Sequence, residues 1–420
     1  MSLAGEITDR RKEIGRVMIQ IAIMGFGTIG SGVYDVINTN RQVIAGRLGD
    51  ELNVKYVLDL RDFPGNPVEE VLVHDVDIII NDPEVKVVVE TMGGVNPAFT
   101  FVKKALEAGK SVSTSNKELV AQKGVELMET AKANSVSFLF GASVGGGIPI
   151  IRPLLRCLTC DDIEEIAGIL NGTTNYILTK MDREGTSFED ALKEAQDNGF
   201  AERNPVNDIE GLDAGRKIAI LSSIVLGRSV DFNDIYTEGI SKITTADIAY
   251  AKKLGWSIKL IASSQKADGR VYAMVAPYLV KPGHPLFAVN DVFNAVMVHG
   301  NMVDDVMFYG RGAGSHATAS AVCADVFEEA AHPGETIYDG WSSEKQEVAD
   351  IGTFRRQFLV RVPGGAECEE ALAAAFGAGT LVEADGVTGE VGYLTPVISE
   401  AEFTAAAEGY GEILGSLRVK

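Results

Sequence analysis

The chain has 420 residues, too many for one ordinary hydrophobic core and enough for two or three domains. Hydrophobic residues make up 46% and charged residues 23%, the balance of a globular chain, and 59 acidic against 38 basic residues leave a net charge of −21. So acidic a chain has no general attraction for nucleic acid or anionic membranes, and no apolar run approaches the ~18 residues of a membrane span, so neither partner is expected.

Residues 1–18, "MSLAGEITDRRKEIGRVM", are polar and lack the apolar centre of a secretory signal; they read as an extension ahead of the folded pattern. Four cysteines, Cys157, Cys160, Cys323 and Cys368, are too few for a disulfide framework and point to a reducing, cytoplasmic setting. The pattern of structure begins at "IQIAIMGFGTIGSGVYDVI", an apolar run of strand length that turns through glycines into a helix. Gly25, Gly27 and Gly30 stand at G-x-G-x-x-G spacing, with Phe26, Thr28 and Ile29 between them. The first glycine suits a tight turn, the second the approach of a pyrophosphate to a helix N-terminus, and the third close helix–strand packing.

Strand and helix patterns then alternate. "VKYVLDL" (54–60), "VDIII" (76–80) and "VKVVVET" (85–91) read as buried strands. "PAFTFVKKALEAGK" reads as a helix stopped at Gly109, "SVSTSNK" as a strand and its exit, "ELVAQKGVELMETAKANS" as a helix, and "VSFLFGAS" as a strand. This order implies a parallel, doubly wound sheet of Rossmann type, whose ligands lie beyond the C-terminal strand ends. Gly25–Gly30, Asp59, Met92–Gly94 and Asn116–Lys117 all fall at such ends. Asp59 can accept hydrogen bonds from an adenosine ribose, favouring NAD; Arg61 can hold a 2′-phosphate, favouring NADP, so the preference stays open.

The glycines of "FGASVGGGIPII" (140–151) expose backbone groups suited to a hard cation or an anion, or serve a plain strand-to-helix turn. Cys157 and Cys160 fall in "PLLRCLTC", at the end of an amphipathic helix pattern. With no second Cys or His pair for zinc, they read as buried small hydrophobes. "GILNGTTNYILTKM" (168–181) packs neutral hydrogen-bonding side chains between apolar flanks, either to cap a structure or to line a site. In "NGFAERNPVNDIEGLDAGRKIAILSSIVLG" (198–227), Asn207 or Asp208 can cap the helix that follows, on which Asp213 and Lys217 are four apart on one face. Spacing alone favours an exposed ion pair, but Ile218, Ile220 and Leu221 suggest a buried helix, where charges need partners or a ligand. Glu202, Asp208 and Asp213 around Lys217 suit an ammonium-bearing substrate beside a proton donor.

"GILNGTTNYILTKM", "TSNKELVA", "ASVGGGIPII" and the run from Glu202 to Lys217 resemble homoserine dehydrogenase, collinearly over about residues 19–330. The resemblance implies reversible, NAD(P)H-dependent reduction of aspartate 4-semialdehyde to homoserine, a step toward threonine, methionine and isoleucine. It implies a catalytic role for Lys217 and a second lysine, Lys117, where cofactor and substrate meet. Glu202 and Asp213, with Asp208 and Thr173 nearby, would hold the substrate. Met92, Gly93, Gly199 and Gly312, the last in "GRGAGSHATASAV" (310–322), would join the glycine loop at the cofactor. Main-chain oxygens of Gly141, Val144, Gly146 and Ile148 would bind sodium. Two departures stand out: Gly141 where the family commonly has Glu, and Asn204 where its E-x-D-P has Asp. In the implied chemistry a lysine ammonium, protonated at neutral pH, gives its proton to the oxygen that gains charge as hydride arrives.

The expected organisation is therefore an extension at 1–18 and a Rossmann domain at 19–147, completed by a helix near 313–330. An α+β substrate-binding and dimerisation domain at 148–312 and a linker at 331–352 precede a small ferredoxin-like βαββαβ unit at 353–420. That last unit resembles an ACT-type regulatory domain, serving as a threonine sensor or as an assembly contact in a homodimer or homotetramer. Two other readings are a sugar or polyol oxidoreductase of the same two-domain plan and a non-catalytic NAD(P)-sensing protein.

Overall fold

The computed structural model describes residues 17–338 and 340–420, so the expected N-terminal extension lies, except for Val17 and Met18, outside the described residues. The chain forms two compact units. The first holds residues up to Leu158 with Gly227–Ser229 and Ala313–Glu344; the second holds Thr159–Leu226, Val230–Gly312 and Lys345–Lys420.

The first unit is built on a parallel sheet in the order β3-β2-β1-β4-β5-β6, formed by β1 (Met18–Met24), β2 (Glu51–Leu58), β3 (Leu72–Val73), β4 (Val85–Glu90), β5 (Ser111–Thr114) and β6 (Phe138–Leu139). This is the doubly wound order, and its switch point lies between β1 and β4. The connecting helices are α1 (Thr28–Thr39), α2 (Arg41–Leu48), α3 (Val76–Asn81), α4 (Ala98–Glu107), α5 (Lys117–Ala133) and α6 (Ile151–Arg156). A returning helix, Ser315–Ala331, shares one core with α1 and the sheet: Ala319, Val322 and Val326 pack with Ile21, Ile23, Val33 and Ile37. Gly32 permits this contact, since a Cβ there would lie 2.6 Å from Ser315 Oγ. Trp341, inside the expected linker, is buried edge-on against Phe140, and Ser342–Lys345 pairs with the short strand Arg228–Ser229.

Two expectations are corrected here. "VDIII" is helix α3, not a strand. Asp75 caps it by accepting the Asp77 N–H at 2.9 Å, Val76 and Ile79 are buried three apart, and Ile78 points outward. A five-residue run with four apolar residues fits either period, and the local cap decides. Cys157 and Cys160 are exposed, not buried, because α6 ends at Arg156 and the helical period stops before either cysteine.

The second unit is organised by a ten-stranded mixed sheet. Its first strands are β7 (Ile163–Ile169), β8 (Tyr236–Thr237), β9 (Ser257–Ala267), β10 (Arg270–Val280), β11 (Phe293–Gly300) and β12 (Asp304–Arg311). Strands β7, β9, β10, β11 and β12 are antiparallel to their neighbours in the order β12-β11-β7-β9-β10. The helices are α7 (Gly172–Glu184), α8 (Phe188–Asp197), α9 (Val206–Ile209), α10 (Leu212–Leu226) and α11 (Thr245–Leu254). Beyond residue 353 come β13 (Phe358–Pro363), α12 (Glu369–Phe376), β14 (Thr380–Val382), β15 (Glu390–Leu394), α13 (Glu400–Tyr410) and β16 (Gly415–Val419). Their strand order, β16-β13-β15-β14, is that of a ferredoxin-like βαββαβ unit.

The residues expected as a third domain at 353–420 lie within the second unit, because β16 pairs in parallel with β10 and continues its sheet. Ion pairs of two buried arginines reinforce the seam. Arg361 on β13 holds Asp247 on α11 at 2.8 Å, and Arg418 on β16 holds Glu238 at 2.6 Å. Among the described residues no helix is long and apolar enough to cross a membrane.

The returning helix carries a buried acid. Glu329 is 2% exposed, accepts the Ser113 hydroxyl at 2.6 Å, and has its carboxyl pushed well up by burial. A raised value favours the neutral form in the folded state, so this group's contribution is full below its ordinary value near 4.5 and is lost as pH rises toward the raised value. Glu329→Gln keeps an acceptor for Ser113 without the charge. It should match the wild type in urea midpoint at pH 5 and exceed it at pH 8; equal midpoints at both pH values would contradict the burial argument.

Candidate active site

In the first unit two of the loop's three glycines have a steric cause. Gly25 has φ +97°, a left-handed conformation that favours glycine, and its N–H donates to Leu58 O at 2.8 Å. A Cβ on Gly30 would lie 1.9 Å from Gly25 O. Gly27 has neither constraint: among the described residues a Cβ there would meet nothing within 4 Å. The chain itself does not require glycine at 27, and the space lies at the start of α1, whose N-cap lacks a side-chain hydrogen bond. The N–H groups of Thr28, Ile29 and Gly30 begin that helix, so the loop fits a phosphate-bearing dinucleotide.

Asp59 follows β2. Its carboxylate accepts Phe26 N–H at 2.8 Å and Arg61 Nε at 2.9 Å, and the Arg61 guanidinium holds it well below the usual carboxylate range. Asp59 thus spends its acceptors inside the loop, while Arg61 remains exposed beside the Phe63 ring.

The loops after β4 and β5 are tied together by a residue that the sequence reading missed. Glu90 ends β4 fully buried; it accepts Met92 N–H at 2.8 Å, Gly93 N–H at 3.3 Å and the Thr114 hydroxyl at 2.6 Å. Burial pushes its carboxyl up against the pull of these donors. Asn116 donates to Gly94 O at 2.6 Å and caps α5 by accepting Leu119 N–H, which sets Lys117 as the first residue of that helix. The available signal was an acid closing a valine-rich strand, "VKVVVE", at a position that continues its buried run.

The stretch expected to bind sodium follows β6. Gly141 N–H donates to Asp325 Oδ2 at 2.7 Å, and a Cβ on Gly141 would meet that carboxylate at the same distance. Glycine at 141 is therefore matched to Asp325, whose carboxyl burial pushes up to about 7 despite Arg152 at 2.8 Å. Gly145 and Gly146 have positive φ, which turns the loop between Val144 and Ile148. Ile148 O already accepts the Ile150 N–H at 2.9 Å.

In the second unit the Asn/Thr-rich stretch caps a helix and joins a buried polar cluster. Asn171 follows β7 and caps α7, accepting Thr174 N–H at 2.9 Å with its side-chain oxygen. Its amide nitrogen donates to Asp208 Oδ1 at 2.7 Å and Asp213 Oδ2 at 2.9 Å. Lys217 Nζ donates to the same Asp213 oxygen at 2.7 Å and to Leu170 O at 2.7 Å. Asp213 and Lys217 are 5% and 8% exposed, so the i,i+4 pair is buried, as the apolar flanks of α10 suggested.

Asn207 and Asp208 do not precede α10 as caps; they lie within the short helix α9, and Gly211 intervenes. Asp208 turns its carboxylate to Asn171 instead. Thr173 donates to Phe200 O at 2.6 Å. Asn175 donates to Asp291 O and Phe293 O, each at 3.0 Å, which anchors α7 to the approach of β11. Lys259, unremarked in the sequence, reinforces that approach: it donates to Val289 O, and burial pushes its ammonium down to about 8. Glu202 and Asn204 lie exposed between α8 and α9, and the Glu202 carboxylate has no hydrogen bond or ion pair among the described residues. Gly199 has φ +73° in the turn after α8, and Gly312 follows β12.

Comparison with known proteins matches residues 25–141 to a family model described as homoserine dehydrogenase, NAD binding domain, and residues 149–327 to one described as homoserine dehydrogenase. A homoserine dehydrogenase of Bacillus subtilis is 44% identical over 315 residues, covering 73% of this chain and 72% of that protein. The crystal structure of a homoserine dehydrogenase from Thiobacillus denitrificans matches with TM-score 0.88 and 33% identity, over 97% of this chain and 99% of that one. A hyperthermophilic archaeal homoserine dehydrogenase in complex with NADPH matches with TM-score 0.62 and 29% identity, over 74% of this chain and 98% of that one. These matches do not favour the sugar-oxidoreductase or NAD(P)-sensor readings. The fold, the dinucleotide-type glycine loop and these relatives agree: the chain belongs to the homoserine dehydrogenase family of NAD(P)-dependent oxidoreductases.

Proposed function

We propose that Lys217 is the proton donor and acceptor at the substrate oxygen, with Lys117 as the second catalytic lysine. Asp213, Asp208 and Glu202 hold the substrate ammonium, and Thr173 with the first amides of α7 faces its carboxylate. The observation that carries this reading is the buried Lys217–Asp213–Asn171–Asp208 chain at the C-terminal end of β7. Lys217 is fixed by two acceptors and can pass a proton without reorienting, while Asp208 and Asp213 supply negative charge for an ammonium. Holding that ammonium orients the carbon that accepts hydride. When bound, the nicotinamide supplies or removes that hydride.

The nicotinamide cofactor is assigned to Gly25–Gly30, Met92, Gly93 and Lys117 of the first unit. Between NAD and NADP we assign NADP, because Asp59 is occupied by Phe26 and Arg61 while the Arg61 guanidinium is exposed. The archaeal relative in complex with NADPH supports the same choice. Sodium is assigned to main-chain oxygens of Gly141, Val144, Gly146 and Ile148. A homodimer or homotetramer fits the exposed edge strand β12, where Met307 and Tyr309 face outward, and a cytoplasmic setting fits the few cysteines. The residues from 353 onward are assigned to assembly rather than threonine sensing, since their buried arginines Arg361 and Arg418 are already paired.

Lys217→Met should lower kcat about 10²–10⁴-fold for homoserine oxidation while cofactor affinity, followed by nicotinamide fluorescence, stays within a few-fold. Near-normal turnover would remove Lys217 from the chemistry. Arg61→Ala should lower kcat/KM for NADPH about 10–100-fold, the effect of one charge-assisted contact, and leave that for NADH nearly unchanged. Equal losses with both cofactors would show that Arg61 only shapes the loop. Threonine added to the full-length enzyme should leave its activity unchanged; inhibition at sub-millimolar concentration would assign sensing to the C-terminal residues instead.

A further inference from the structure

Asn294 is the most conspicuous polar side chain that the roles above leave unused. It begins β11 as its second residue, is 1% exposed, and neither Nδ2 nor Oδ1 has a hydrogen-bond partner among the described residues. Leaving a buried carboxamide unpaired is unfavourable, and such groups are retained where a ligand or a second arrangement satisfies them.

Its surroundings show which ligand chemistry fits. Ala295, the next residue, pairs with Ile169 of β7, so Asn294 stands beside the exit of β7 toward Leu170 and Asn171. Its Oδ1 lies 3.4 Å from the place a Gly172 side chain would take, at the first residue of α7. α7 runs for 13 residues, and Gly172 and Thr173 N–H have no acceptor among the described residues. A helix start with free amides and a partially positive end favours an anion. On its other side the carboxamide lies flat against Gly312: a Cβ there would sit 2.1 Å from Nδ2 and 2.5 Å from Oδ1. Glycine at 312 thus makes room for Asn294. The β11–β12 ladder ends at the Phe293–Arg311 pair, so Gly312 is the first residue beyond it and is not held by strand pairing.

We propose that Asn294 is a further substrate-positioning residue, whose carboxamide joins the N-terminal amides of α7 to bind the substrate's α-carboxylate once Gly312 lifts from it. The inference rests on the reading that an amino acid with its ammonium at Asp208 and Asp213 is the substrate. A zwitterion held only by carboxylates would leave its own carboxylate facing acids. A neutral amide donor answers that need without introducing a cation that would compete with the substrate ammonium for Asp208 and Asp213.

The test is kinetic and uses the full-length enzyme with Asn294→Leu and Asn294→Ser. Inhibition of semialdehyde reduction is measured for homoserine and for 3-aminopropan-1-ol, which is homoserine without its carboxylate. The expected result is a rise of about 10–100-fold in the inhibition constant of homoserine, the effect of losing one hydrogen bond to a charged group. The constant for 3-aminopropan-1-ol should not change, and kcat should stay within a few-fold. Asn294→Leu, freed of an unpaired amide, should melt at or above the wild-type temperature, and Asn294→Ser keeps the test available if the leucine variant does not fold. Equal rises for both ligands, or no rise for homoserine, would overturn the proposal. A wild-type enzyme that does not bind homoserine at all would instead overturn the reading on which it rests.

Discussion

One side chain, Asn171, ties local structure to chemistry. Its oxygen caps α7, and its nitrogen bridges Asp208 on α9 and Asp213 on α10. Three helices therefore take their relative positions from a single carboxamide, and the Asp213–Lys217 pair is aligned by the same contact. A buried ion pair is weak evidence for stability: an apolar pair of similar size often serves as well, whereas removing one partner costs about 3–5 kcal/mol. The cluster is better understood as a chemical constraint that the fold accommodates. α10 is buried along nearly its whole length, which keeps water away from Lys217 and strengthens its interactions.

The first unit solves its task with backbone rather than charge. Gly25, Gly27 and Gly30 set a turn, an open space and a close packing contact, and none requires a charged side chain. The buried acid Glu90 then shapes two neighbouring loops through backbone N–H groups and Thr114. A carboxylate facing backbone donors gives a loop one defined conformation, which a bound dinucleotide needs if its reactive ring is to be held still.

Legibility in the sequence follows the range of the interaction concerned. The doubly wound sheet was readable because strand and helix periods alternate regularly, and the glycine loop because its spacing carries local steric reasons. The buried state of Asp213 and Lys217 was readable from the apolar residues beside them on α10. The turn of "VDIII" into a helix was not, because four apolar residues in five do not distinguish the two periods and the deciding contact is one Asp75 cap. The exposure of Cys157 and Cys160 depended on where α6 stops, and helix ends are poorly marked without a clear cap. Glu90 escaped because the Thr114 hydroxyl that joins its two loops lies 24 residues away, and Asn294 because it has no side-chain hydrogen-bond partner among the described residues. The union of β16 with β10 joins residues about 140 apart in the chain, which no local pattern announces.

That union also alters the physical status of the C-terminal residues. A free-standing unit of their size would have a marginal core, but here Arg361 and Arg418 are paired in a seam shared with Asp247 and Glu238. The seam and the Lys217–Asp213–Asn171–Asp208 cluster lie in one unit, yet the cluster's own geometry rests on Asn171. A double-mutant cycle between Asn171→Ala and Asp213→Asn, read as kcat/KM for homoserine oxidation, tests that dependence most directly. If Asn171 acts by aligning Asp213 and its lysine, the double variant loses little more than Asp213→Asn alone; fully additive losses would show that Asn171 and Asp213 work independently, and would contradict its place at the centre of the site.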